Sequence, residues 1–205
     1  MRSDARANRA RILDAARAAF AERGIDVPLS AVARRAEVGP ATLYRHFPTR
    51  GALVGAAFAD QFDACEAVLD DMLADPDPWH GLCVVLSTVA QMQTADRAFT
   101  SAFLSRFADA VDYDRRLDRA QRTLVELVER AKRSGQLRVD VQAGDITMVL
   151  VANGGLVDTL GADAPAAVRR LIGHLLRSFR ADGAGTLPPP AVIGLDQVHR
   201  IVTHT

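Results

Sequence analysis

Leu29 to Phe47 reads LSAVARRAEVGPATLYRHF, and the fold turns on this stretch. A short helical pattern runs into a turn at Glu37-Val38-Gly39. A second short helix opens at Pro40, where a missing N–H does no harm, and is closed by Pro48. Leu43 and Phe47 stand four residues apart and share the buried face, so Thr42, Tyr44, Arg45 and His46 project elsewhere. A polar, cationic and aromatic face on so short a helix suits a DNA major groove. Arg and His donate to base acceptors, Thr touches a base or its methyl group, and Tyr reaches a phosphate. The pattern reads as a helix-turn-helix.

ATLYRHFPTRGALV, residues 41–54, resembles the recognition helix and the start of the fourth helix of the TetR family of bacterial transcriptional regulators. RANRARILDAARAAFAERGIDVPLSAVARRAEV, residues 6–38, is similar to the family's first two helices. The resemblance covers roughly the first quarter of the chain. It implies an all-α protein with a three-helix DNA-binding head and a larger helical body for ligand binding and dimerisation. The implied function is a homodimeric repressor, released by a small-molecule ligand from a pseudo-palindromic double-stranded DNA operator. Arg50, opening the fourth helix, is then expected near a phosphate. Three positions depart from the family pattern. Pro28 stands where a Thr usually caps the second helix, Glu37 where the turn often has Gly, and Gly39 where Ser is the common cap of the recognition helix. A non-Gly residue at 37 costs about 1 kcal/mol if its φ is positive.

Charge is distributed to match. The chain of 205 residues has a formal net charge of +0, but residues 1–50 hold 10 Arg against 5 acidic residues, and the remainder has the opposite excess. Positive charge thus gathers on the helix-turn-helix segment, where phosphate attraction needs it. Ile12 to Phe20 is interrupted by Asp14 and Arg17, so it makes no signal-peptide core, and Met148 to Ala152 is too short to cross a bilayer. No membrane partner is expected, and the cytoplasm is the expected compartment.

The periodicity predicts helices over about 7–22, 50–73, 79–94, 97–110, 114–134, 145–159 and 164–180 around the motif. Breaks fall at Gly24, at Asp75-Pro76-Asp77-Pro78 and at Gly135. ITMVLVANGGLV around Asn153-Gly154 can be read as a hairpin, but a lone hairpin would have no sheet to join, and a helix is preferred. Three parts follow: a DNA-binding domain over 1–50, a ligand-binding and dimerisation domain over 51–182, and a C-terminal segment over 183–205. In the last, GAGTLPPP reads as an extended linker. Leu195, Val198, Ile201 and Val202 form an apolar stripe expected to dock on the body.

Competing chemistry is weak. There is no Gly-x-Gly-x-x-Gly, no phosphate-binding loop and no Gly-x-Ser-x-Gly turn, and the five histidines show no metal-ligand spacing, so no catalytic residue, cofactor or metal is expected. An all-helical enzyme or adaptor with an incidental helix-turn-helix would need an acid–base or nucleophile constellation, which the sequence lacks. Asp70, Asp71, Asp75 and Asp77 read as a solvated helix end. Cys65 and Cys83 flank the turn at 74 symmetrically, yet free cysteine usually packs as a small hydrophobe. Candidate ligand-pocket residues are Phe62, Met72, Trp79, Met92, Phe99, Phe103, Phe107 and Asn153, with Gln91 and Asp158 as further polar anchors. A homodimer is expected through the last two long helices, where Gly154 and Gly155 permit close crossing and Val168, Leu171, Leu175 and Phe179 supply apolar contact.

Overall fold

The structure is a computed structural model and describes residues 2–105, 111–183 and 185–191. Among these there is no strand, only one isolated bridge between Leu137 and Arg180. The head consists of α1 (Arg2–Arg23), α2 (Leu29–Arg35) and α3 (Pro40–His46), and α4 (Arg50–Ala57) packs on α1. The body follows with α5 (Ala59–Leu73), α6 (Pro78–Ala95), α7 (Arg97–Phe103), α8 (Val111–Arg133), α9 (Ala143–Leu160) and α10 (Ala164–Phe179). α6 is its central helix, touching α5, α7, α8, α9 and α10. The inner face of α1 (Ile12, Ala15, Ala16, Ala19 and Phe20) is buried. Gly24 (φ 80°) and Gly135 (φ 74°) stop α1 and α8 in the left-handed conformation that glycine accepts.

Local chemistry explains the helix starts. Thr49 caps α4, its hydroxyl accepting from the Ala52 N–H at 3.1 Å. Asp77 caps α6 through the N–H groups of Trp79 and His80, and Asp96 caps α7 through that of Phe99. Three residues of the acidic cluster are thus engaged: Asp77 in the α6 cap, Asp75 and Asp70 in ion pairs. Asp75 pairs with His80, and Asp70 bonds Arg119. The segment around Asn153 is helical, as expected.

Two expected helices differ in length. The span 50–73 is broken at Phe58 (φ −112°, ψ 20°), where the Ala57 carbonyl accepts from Arg17 Nε of α1 at 2.8 Å. A side chain inserted at a helix carbonyl is a recognised source of kinks. α7 ends at Phe103, not near 110, and residues 106–110 lie outside the described range.

Glu37 has φ 53°, the non-glycine residue with positive φ among the described residues. It follows Ala36, the C-cap of α2, and the Val38 N–H closes the turn on the Ala33 carbonyl. Removing its Cβ relieves the clash of a left-handed L-residue. Glu37→Gly is expected to stabilise the protein by roughly 0.5–1 kcal/mol in urea denaturation.

The start of the tail is held against the body. Buried Arg138 forks onto Asp140 (2.8 and 2.6 Å) and also donates to the Gly185 carbonyl, while the Leu187 N–H donates to Asp140. The guanidinium holds the Asp140 carboxyl well below the usual carboxylate range. The predicted apolar stripe from Leu195 to Val202 lies outside the described residues.

The interface residues expected on α9 and α10 divide. Val168 and Phe179 are buried within the subunit, so they are core residues. Gly154 is also internal: a Cβ there would lie 2.8 Å from Leu104 Cδ1, so this glycine lets α7 approach α9. Gly155 is exposed with nothing near its Cβ position, and Leu171 and Leu175 are half-buried. Met148 and Val151 add apolar surface to the outer face of α9.

Candidate nucleic-acid interface and its link to the body

α3 is seated by Leu43, which is buried, and by Phe47 just beyond its end, also buried. Gly39 at its N-cap offers only its carbonyl, which accepts from the N–H groups of Thr42 and Leu43. Pro28 likewise caps α2 by its carbonyl alone, through Ala31 and Val32. With its inner face pinned, α3 presents Tyr44, which is 51% exposed, and Arg45, also exposed. Arg34 at the end of α2 is exposed, and the guanidinium of Arg9 stands 5.3 Å from the Phe47 ring centre. The result is a protruding aromatic–cationic ridge on a basic head.

The other candidate contacts sit deeper. Thr42 is half-buried. His46 is three residues after Leu43, on the edge of the buried row. Its ring leans on Phe47, and its Nε2 is enclosed without a hydrogen-bond partner. It therefore supports the ridge from behind. Arg50 is committed internally, its Nη1 donating to the carbonyls of Ile25 and Val27. The α1–α2 loop leaves those carbonyls without helical partners, and the arginine supplies the bonds. Arg50 accordingly braces the head through Nη1.

Head and body meet through aromatic side chains. Phe20 of α1 stacks on Phe58 at the α4–α5 break (6.1 Å between ring centres), and Phe58 meets Phe99 of α7 at 6.1 Å. Phe99 in turn touches Phe62 of α5 (5.4 Å) and Phe103 (5.7 Å). Phe62 and Phe103 line an apolar cavity among α5, α6, α8 and α9, so the chain of rings runs from cavity wall to DNA-binding head.

The remaining expected pocket residues are placed elsewhere. Met72, in the last turn of α5, has its carbonyl against Gly81, where a Cβ would come within 2.8 Å. Trp79 lies beneath the Arg180 guanidinium. Met92 packs behind Cys65, sulfur to sulfur at 3.7 Å. Asn153 is sealed between α6 and α9, donating to Gln93 Oε1 at 2.6 Å, because a buried amide needs a partner. Asp158 pairs with Arg97, Gln91 is exposed, and Phe107 lies outside the described residues. Sequence reading missed Arg116 and Glu66 at the cavity. Their charge and regular spacing on amphipathic helices gave no sign that they stand over an internal space.

Cys65 borders the cavity, and both cysteines are free. Burial pushes the Cys65 thiol up to about 12 and that of Cys83 up to about 11, so neither is a reactive thiolate near neutral pH.

Residues 12–57 match the family model for bacterial regulatory proteins of the tetR family. The crystal structure of a TetR transcription regulatory protein from Mycobacterium vanbaalenii is 32% identical in sequence. The match covers 87% of this chain and 98% of that one, with a TM-score of 0.50. The chain belongs to the TetR family. Among curated relatives, the HTH-type transcriptional repressor KstR of Rhodococcus jostii is 36% identical over 110 residues, 50% of this chain and 49% of the relative. KstR of Mycobacterium tuberculosis is 30% identical over 135 residues, 64% of this chain and 61% of the relative. The chain thus spans about half to three-fifths of the length of these curated relatives. Among the described residues no helix is long and apolar enough to cross a membrane.

Proposed function

We propose that this TetR-family chain is a sequence-specific DNA-binding transcriptional regulator, a homodimeric repressor released from a pseudo-palindromic operator by a small molecule. The observation that carries this reading is the exposed Tyr44–Arg45 ridge on α3, on a segment where arginine outnumbers acidic residues. The named relatives are transcriptional repressors, which supports repression over activation. Residues 1–50 serve as the DNA-binding domain and 51–182 as the ligand-binding and dimerisation domain, acting in the cytoplasm where the operator is.

Ligand release follows from the connection between the two parts. A ligand can shift the equilibrium between two packings only by its differential affinity for them. Occupying the cavity moves Phe62 and Phe103, which press through Phe99 on Phe58, where α4 leaves the body. Arg17 carries that movement into α1. In dimers of this motif class the two recognition helices must match half-sites about 34–36 Å apart, or a multiple of that, so a tilt of a few ångströms forfeits one head's contacts.

The test is retention on operator DNA as salt is raised. The logarithm of affinity is expected to fall steeply and linearly, by about 0.9 per logarithmic unit of salt for each phosphate neutralised. Retention indifferent to salt would remove the electrostatic basis of the reading.

The dimer is tested separately. Gly155 lies open on the outer face of α9 one turn after exposed Val151 and Ala152, so Gly155→Leu is expected to leave the subunit folded and yield monomers in sedimentation at micromolar concentration. A dimer of unchanged strength would move the interface off this face. Gly154→Leu serves as the contrast, because it strikes Leu104 and lowers stability within each subunit.

A further inference from the structure

The body cavity has walls and a mouth of different chemistry, and together they select a ligand class. Inside, α5, α6, α8 and α9 contribute hydrocarbon: Phe62, Leu69, Val85, Leu124, Ile146 and Leu150. About 60 Å³ within it is open to the centres of water-sized molecules, within about 690 Å³ of unfilled space that includes the open mouth. On the first measure a single water needs about 10–15 Å³, so the cavity as it stands has room for a short chain of atoms. A polar group carried inside would find no partner among these walls.

Among the described residues, the charged side chains of the lining are those of Arg116 and Glu66, and they engage each other. Arg116 donates to Glu66 through Nε and to Asp63 through Nη2 at 2.5 Å, and its guanidinium lies 5.8 Å from the Phe62 ring centre. One turn along α8, Arg119 bonds Asp70 at 2.5 Å. Three carboxylates thus face two guanidiniums along the α5–α8 seam that closes the cavity. An alkyl anion would have to displace Glu66 or Asp63 from Arg116 and then sit beside the freed carboxylate. An alkyl cation would have to compete with Arg116 or enter hydrocarbon. An uncharged molecule meets neither obstacle.

We propose that the cavity takes an uncharged, predominantly apolar molecule behind an Asp63–Arg116–Glu66 clasp, and discriminates against alkyl anions of the same shape. This rests on the ligand-responsive reading above and adds the chemical class of the ligand. Arg116 gates the cavity and does not anchor the ligand.

Three probes of equal chain length test it on the full protein at neutral pH: octan-1-ol, octanoate and octylammonium, followed by calorimetry and thermal melting. Octan-1-ol is expected to bind about tenfold or more tightly than either ion, since each ion must be desolvated or must break the clasp. Arg116→Met, which keeps the apolar stem, is expected to retain octan-1-ol affinity and to admit it several-fold faster. Octanoate binding as tightly as the alcohol in the wild type, and weakening in Arg116→Met, would make Arg116 an anion anchor and overturn the proposal. So would octylammonium as the tightest probe, or no binding of octan-1-ol. The wild-type comparison decides the ligand class even if the variant misfolds. Octan-1-ol binding without any effect on DNA retention would leave the cavity assignment standing and sink the release mechanism. Salt-dependent DNA retention without alcohol binding would do the reverse.

Discussion

Replacing Tyr44 and Arg45 together by alanine is expected to abolish sequence-specific retention on DNA while leaving the thermal melt nearly unchanged. Both side chains project from α3, and the residues that seat the helix, Leu43 and Phe47, are untouched. Exposed substitutions away from special features usually stay within about 0.5 kcal/mol of wild-type stability. A base-reading arginine, by contrast, carries about 1–3 kcal/mol of discrimination per site. A dimer loses it twice, so affinity for the operator should fall on the order of a hundredfold or more. Residual binding should resemble that to random DNA, with a shallower salt dependence. Fluorescence anisotropy with operator and scrambled duplexes reads both quantities. Unchanged preference for the operator would place the reading surface elsewhere on the head.

The helix-turn-helix was legible because its signals are local. Pro40 and the Leu43–Phe47 pair act within a turn or two of their own position, and the structure places them as the spacing predicts. The turn residue at 37 was also a local matter, and its φ of 53° meets the condition under which a non-glycine residue is strained there. What escaped the sequence was every role fixed by a distant partner. Nothing in the sequence shows that the carbonyls of Ile25 and Val27 are brought to Arg50 across the head. Arg17 gives no hint that Ala57, forty residues on, needs a donor and that α4 will break there. Within the body, helical periodicity finds buried faces but does not say which buried residue borders a void. Phe62 and Phe103 do so, whereas Met92, half-buried against Cys65, and Asn153, buried against Gln93, do not. Likewise Gly154 and Gly155 are neighbours in sequence, but successive residues on a helix point about 100° apart, so one admits α7 and the other faces outward.

Phe99 is where stability and signalling are expected to fail together. It is fully buried, and its ring touches those of Phe58, Phe62 and Phe103, joining the break between α4 and α5 to two residues of the cavity wall. Phe99→Ala removes the largest part of that junction and leaves a void between helices that are held on other sides by α6 and α1, so full collapse around it is hindered. Truncations of this type cost about 3–5 kcal/mol, a large share of the stability of a domain. Urea denaturation should show the loss directly as a lower midpoint with an unchanged slope. Phe99→Leu separates the two roles, because it fills most of the volume without the aromatic edges and should cost far less. In that variant cavity occupancy can no longer be pressed through ring-to-ring contact on Phe58. Operator affinity without ligand should then stay near wild type, while its response to a cavity ligand should shrink several-fold, within the 5–150-fold range usual for coupled sites. Full wild-type release by Phe99→Leu would show that movement reaches α4 by another route, with the backbone of α5 the next path to examine.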